Sequence, residues 1–139
     1  RSGKNVDDVY WIIMSTLNVS TAKITTLQSS GGANSSTPEQ LSQGRCKAWV
    51  RFNGSGTVSI GDSFNVSSIT DNGTGNYEFA FTNNMANTNY VGIANAGRFA
   101  SCGNSSGNYT VGTFDVIVHN LNGDLENRSV IHAVIFGDQ

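Results

Sequence analysis

From Gly44 to Phe81 the sequence alternates, and turn formers break the alternation every few residues. Cys46, Ala48, Val50 and Phe52 fall on one side of an extended chain, and Lys47, Trp49 and Arg51 on the other. A period of two is what a half-buried strand requires, because successive side chains point to opposite faces of a sheet. Tyr77, Phe79 and Phe81 repeat the pattern with an aromatic row on one side. Asn53-Gly54 and Asn72-Gly73 each follow an apolar run, and both residue types tolerate positive φ, so each pair predicts a turn. The stretch predicts an antiparallel meander, and no catalytic motif interrupts it.

The same punctuation continues downstream. Tyr90–Ala94, Thr110–His119 and Ser129–Phe136 read as further strands, and Asn18–Leu27, rich in Thr and Val, as an earlier one. Seven or eight short strands with turns about every 8–12 residues predict an all-β fold, an antiparallel β-sandwich or barrel-like head. At 139 residues the chain can bury one core without staples. Three segments follow: a leader over 1–17, a strand and polar connector over 18–43, and the sandwich head over 44–139. Within the connector, Thr37 is placed to cap a single helical turn that starts at Pro38.

The leader carries the run Val9-Tyr10-Trp11-Ile12-Ile13-Met14. Helical spacing and strand propensity fit it equally well. In either form so apolar a piece needs cover, which makes Val9, Trp11 and Ile13 candidates for docking onto another chain. The run is far shorter than the ~20 residues of a membrane span, and Asp7 and Asp8 precede it where a signal peptide would be basic. Membrane insertion is not expected. Met14-Ser15-Thr16 also has the form of a translation start, in which case residues 1–13 would be an extension.

Charged residues make up only 13% of the chain, about half the usual share, and Asn, Ser, Thr and Gly take their place. That balance suits extracellular β-rich proteins and viral shells and fibres better than cytosolic enzymes. A net charge of −2 removes the basic footprint that nucleic-acid binding needs. Cys46 and Cys102 allow one disulfide at most, and two buried free thiols are the simpler expectation. No Cys or His pair has metal-ligand spacing, so neither metal nor cofactor is expected.

Catalytic patterns are missing too. Glycan hydrolysis needs two carboxylates about 5–10 Å apart. Asp62, Asp71 and Asp124 sit in turn contexts, where Asp serves the backbone. Glu78 and Asp115 lie opposite the aromatic and aliphatic rows and read as solvated. No nucleophile elbow, phosphate loop or dinucleotide fingerprint occurs, so a non-enzymatic role is expected. His132 shares a strand face with Val130, Val134 and Phe136, which suggests an inward or inter-subunit position, a core histidine being the plainest form. Trp49, between Lys47 and Arg51, reads as an interface residue, with stacking on a sugar as the alternative. The Asn-x-Ser/Thr triplets, such as those at Asn53, Asn65 and Asn72, follow from composition.

Recognition is expected where the chain leaves the sheets, since loops on a rigid scaffold carry most binding sites. The stretch 95–108, NAGRFASCGNSSGN, reads as one long loop. It offers adaptable polar groups, with Arg98, Phe99, Asn104 and the adjoining Tyr109 as candidate receptor-binding residues.

The run QGRCKAWVRFNGSGTVSIGDSFNVSSITDNGTGNYEFAFTNNMANTNYVG closely resembles a module of virion structural and tail-fibre-like proteins of tailed bacteriophages. The resemblance rests on a polar STPEQ…QGR lead-in, the K-A-W-V-x-F-N-G-x-G-T-V strand pair and the S-F-N-V-S-S-I-T-D-N-G-T-G turn. The Asn89-Tyr90-Val91-Gly92 strand and the closing Ala133-Val134-Ile135-Phe136-Gly137 extend it. Arg51 and Gly61 depart from the pattern, where Asn and a larger polar residue would be expected. The resemblance implies a non-catalytic virion component, assembled in the host cytoplasm, acting outside the cell and forming a homotrimer. It implies a tail-fibre or receptor-binding tip that recognises a host surface polysaccharide or protein. A capsid decoration or head-fibre protein, held to other virion proteins by the N-terminal segment, is the alternative.

Overall fold

Among the described residues the alternating runs form eight strands in two four-stranded antiparallel sheets that face each other as a sandwich. The computed structural model describes residues 23, 25–27, 31–32, 35–103 and 109–139. Val9, Trp11, Ile13 and Asn104 lie outside the described residues, as does most of the strand expected over 18–27, of which Leu27 pairs with Ser36 in an isolated bridge. A short helix α1 (Pro38–Gly44) precedes β1 (Cys46–Asn53), β2 (Ser59–Phe64), β3 (Val66–Asp71) and β4 (Asn76–Phe81). β5 (Val91–Asn95), β6 (Phe99–Cys102), β7 (Thr113–His119) and β8 (Ile131–Phe136) complete the fold. The first sheet has the order β2-β1-β8-β5 and the second β3-β4-β7-β6.

Helix α1 forms where the cap predicted it. Thr37 Oγ1 accepts from Gln40 N at 3.2 Å, and Gln40 Oε1 accepts from Thr37 N at 2.9 Å, so two orphan donors are satisfied reciprocally. The stretch from 44 to 81 is not one meander. It makes two hairpins, β1–β2 and β3–β4, one in each sheet. Asn65, at φ 56, turns the chain from one sheet to the other. Asn accepts that left-handed geometry more readily than most residues. Its side chain also holds the corner, accepting from Asn83 N at 2.7 Å and donating to Asn83 O at 3.0 Å.

The two Asn-Gly pairs behave differently. Asn72-Gly73 lies in a tight β3–β4 turn, with Gly73 at φ 115 and its N–H donating to Asp71 Oδ1 at 2.9 Å. Asn53-Gly54 instead opens a longer connection, in which Asn53 Oδ1 accepts from Ser55 N and Nδ2 donates to the Ser55 and Thr57 carbonyls. Gly54 is required there for closeness, because a Cβ would run into the Tyr77 hydroxyl.

Inside, Ala48, Val50 and Phe52 of β1 meet Tyr77, Phe79 and Phe81 of β4, all at most 5% exposed. The aromatics form one continuous ladder, Tyr77–Phe52–Phe79–Phe114–Phe81–Tyr90–Tyr109, with neighbouring ring centroids 4.8–5.9 Å apart. Most contacts are edge-to-face, which the ring quadrupoles favour. Lys47 departs from the alternation: it is buried, its Nζ donating to Ser42 Oγ at 3.1 Å, next to an irregular register between Cys46 and Ala48. Both cysteines are free thiols. Burial pushes the Cys102 thiol up to about 12.

Pairing gives the sandwich a direction. β1 starts at what we call the entry end and finishes at Asn53, at the far end. Because every neighbouring pair is antiparallel, β5 and β7 finish at the far end and β6 and β8 begin there. The connections after β1, β3, β5 and β7 therefore cluster at the far end, where Gly54 N donates to Arg128 O at 2.8 Å and Gly75 N to Asn127 Oδ1 at 2.7 Å.

Candidate functional site

The three described loop candidates, Arg98, Phe99 and Tyr109, do not lie together. Within 95–108 the segment Phe99–Cys102 is strand β6, paired with β7 from Phe99↔His119 to Cys102↔Val116. At about 3.3 Å per residue, β6 separates its two ends by roughly 10 Å. Arg98 and Phe99 lie at the far end, and Gly103 and Tyr109, which flank the remainder of the loop, lie at the entry end. A strand of only four residues, with a single large side chain, leaves too little periodicity to be seen in sequence.

Phe99 is 61% exposed and Arg98 is exposed beside it, in the short turn from β5 to β6. Gly97, at φ 70, donates its N–H to Asn95 Oδ1 at 3.0 Å and fixes that turn. Tyr109 is different: half-buried, it ends the aromatic ladder 4.9 Å from Tyr90, and its hydroxyl lies 3.5 Å from Cys102 O. Its role in the fold is packing. Tyr90 donates to the Thr110 and Thr113 carbonyls, and burial, helped by Tyr109, pushes its hydroxyl up to about 12.

A cleft of about 300 Å³ opens beside the Arg98 turn. Asn95, Gly97, Arg128, Val130 and His132 line it. Arg128 Nη2 donates to Glu126 Oε2 at 3.0 Å, while its Nε is buried with no hydrogen-bond partner among the described residues. His132 is not a core histidine. It is exposed on the outward side of β8, while Ile131, Ala133 and Ile135 take the core. Both alternate sets in β8 are apolar enough to face inward, so its sequence left the choice open. Sequence reasoning missed Arg128 altogether, since nothing near it in the chain indicates that a turn from another sheet will fold over it.

The two carboxylates read as solvated are half-buried cross-strand partners: Glu78 of β4 stands opposite Asp115 of β7. Burial first, and then the Glu78 charge, raise the Asp115 carboxyl above its ordinary range. The hollow beside them, bounded by Tyr90, Tyr109, Thr110 and Thr113, has a volume of about 30 Å³. That is room for a water and not for a sugar ring. Among the described residues no group of three His, Cys, Asp or Glu could hold a metal ion, and no helix is long and apolar enough to cross a membrane.

Trp49 lies on the outward face of the first sheet, directly opposite Phe64 of β2 and Val134 of β8. Arg51, one step along, stands opposite Asp62, and its Nη1 would be 3.2 Å from a Cβ at Gly61. Arg51 and Gly61 are thus neighbours, and the small residue leaves space for the large one. The fold that carries these surfaces is an all-β sandwich of two antiparallel sheets. Comparison of the chain with protein-family models, curated proteins and solved structures finds no match.

Proposed function

We propose that this chain is a virion structural protein of a tailed bacteriophage, acting as the receptor-binding tip of a tail fibre. On this reading it recognises a polysaccharide or protein on the host cell surface and does not alter it. The observation that supports it most is the polarity of the sandwich. The chain enters at the Cys46 end, and the exposed Arg98–Phe99 turn and the Arg128–His132 cleft sit together at the opposite end. A tip attached through its N-terminal side needs its contact residues there. Phe99 supplies an apolar platform and Arg98 and Arg128 supply charge-assisted donors. Copies held in a homotrimer would convert weak single sites into firm attachment through effective concentration.

The test is attachment of the fluorescently labelled chain to host cells. Replacing Arg98 and Phe99 together by Ala should lower cell-bound signal at least tenfold with no change in melting temperature. Attachment equal to wild type would remove the turn from the site. Tyr109→Phe should leave attachment unchanged, because that side chain is committed to the ladder.

The second reading is a capsid decoration or head-fibre protein. It is favoured by the apolar run Val9–Met14, which suits a docking segment on other virion proteins. Gold-labelled antibody on intact virions separates the two, giving signal at the tail tip for the first and over the capsid for the second.

A further inference from the structure

The outward face of the β2-β1-β8-β5 sheet carries an apolar row that crosses all four strands. Phe64, Trp49, Val134 and Ile93 are successive cross-strand partners, and Phe136 and Val91 form a second pair beside them. Directly opposed residues lie close together on the same face, so these side chains make one surface. Phe64 is 51% exposed, Ile93 59% and Val91 62%, and Trp49, Val134 and Phe136 are half-buried. Most outward positions of the other sheet, among them Ser68, Thr70, Glu78, Thr113 and Asp115, are polar, and its apolar ones, Ala80, Ile117 and Phe99, are not cross-strand partners of one another. A continuous apolar row is therefore specific to one sheet.

We infer that this face is where copies of the chain hold one another. With about 150–250 Å² for a large side chain, more than half of it uncovered at Phe64, Ile93 and Val91 and a smaller share at Trp49, Val134 and Phe136, the two rows offer on the order of 400 Å² of apolar surface. A stable interface takes about 800 Å² from each partner, some 65% of it apolar when the partners are identical. The rows supply most of the apolar share of such an interface, and the exposed polar border extends the patch. The border is the row Asp62, Arg51, His132 and Asn95, again successive cross-strand partners. It holds one acid and one permanent base, so two copies meet without net repulsion, and a strongly charged partner would find no matching field. The inference names the surface that the oligomer in the proposed function would use, and it fails separately from receptor binding.

The experiment is native mass spectrometry and light scattering on the full chain at micromolar concentration. Wild type should run at a whole multiple of 14.7 kDa. The double variant Phe64→Glu with Ile93→Glu should run at a single 14.7 kDa unit, with its thermal transition retained, because both side chains are more than half exposed. Ser68→Glu, on the polar sheet, should keep the wild-type mass. A wild-type chain that is already monomeric, as it would be if its own leader covered the face, overturns the inference. A double variant that keeps the wild-type mass overturns it too. A monomeric chain that still attaches to cells would do so while leaving the receptor reading standing.

Discussion

In the middle of the first sheet the outward side chains are Trp49, Val134 and Ile93; at the matching level of the second they are Thr70, Glu78 and Asp115. Inward, the sheets are alike, both packed on the same aromatic ladder. The stability of the sandwich thus comes from a shared interior and leaves each exterior free to differ. One exterior is uncharged at its centre and gains from being covered. The other is polar and carries two half-buried acids side by side, both still in contact with water.

The comparison breaks most completely where the interior is shared. Phe79 touches Phe52 of the first sheet and Phe114 of the second. Phe79→Ala should cost about 3–5 kcal/mol in urea unfolding and loosen both exteriors together. Loss of assembly with no loss of stability would contradict the shared interior. Tyr77→Phe tests the tie at the far end, where the hydroxyl lies 2.6 Å from Gly54 O and 2.9 Å from Asn127 Oδ1. Leaving the buried Gly54 carbonyl unpartnered should cost about 1–2 kcal/mol by the same measurement.

Two of the three tyrosines in the ladder, Tyr77 and Tyr90, also make the interior sensitive to alkali. Burial, then the Asp71 charge, raise the Tyr77 hydroxyl, and burial raises that of Tyr90 to about 12. A raised folded-state value means that the neutral hydroxyl is the stabilised form. Each contribution is complete below pH 10, the ordinary tyrosine value, and is lost as the pH rises through the raised folded-state value, which for Tyr90 is about 12. Tyr90→Phe should flatten that part of the stability–pH curve, and an unchanged alkaline limb would contradict it.

The smallest effect belongs to the polar exterior alone. Asp115→Asn should stabilise the fold by about 0.5 kcal/mol at neutral pH, the scale of like charges opposed across strands at a solvated surface. The sign follows from the raised carboxyl. Its stabilising protonated form is present in acid and is lost as the pH rises through its shifted value. The gain should therefore vanish in acid, and association should not change.

The features legible in sequence are those with a local cause. The Thr37 cap needs only Gln40, three residues on, and α1 stands where it was expected. Alternation through Ala48, Val50 and Phe52 names the inward row of β1, because one set is apolar and the other mixed. The same reasoning fails in β8, where Ile131, Ala133 and Ile135 compete with Val134 and Phe136 for the core. It fails for 95–108, which β6 divides between opposite ends of the molecule.

Strand content, the turn at Asn72-Gly73, the helix cap and the aromatic identity of the core were determined by the sequence itself, since each depends on residues within a few positions of one another. Which hairpin joined which sheet, that Glu78 would stand beside Asp115, and that Phe64, Trp49, Val134 and Ile93 would line up across four strands were decided only by the tertiary structure. A period of two assigns each side chain to one of two faces. It carries no record of the strand that will lie alongside, because that partner is chosen by packing among segments distant in the chain.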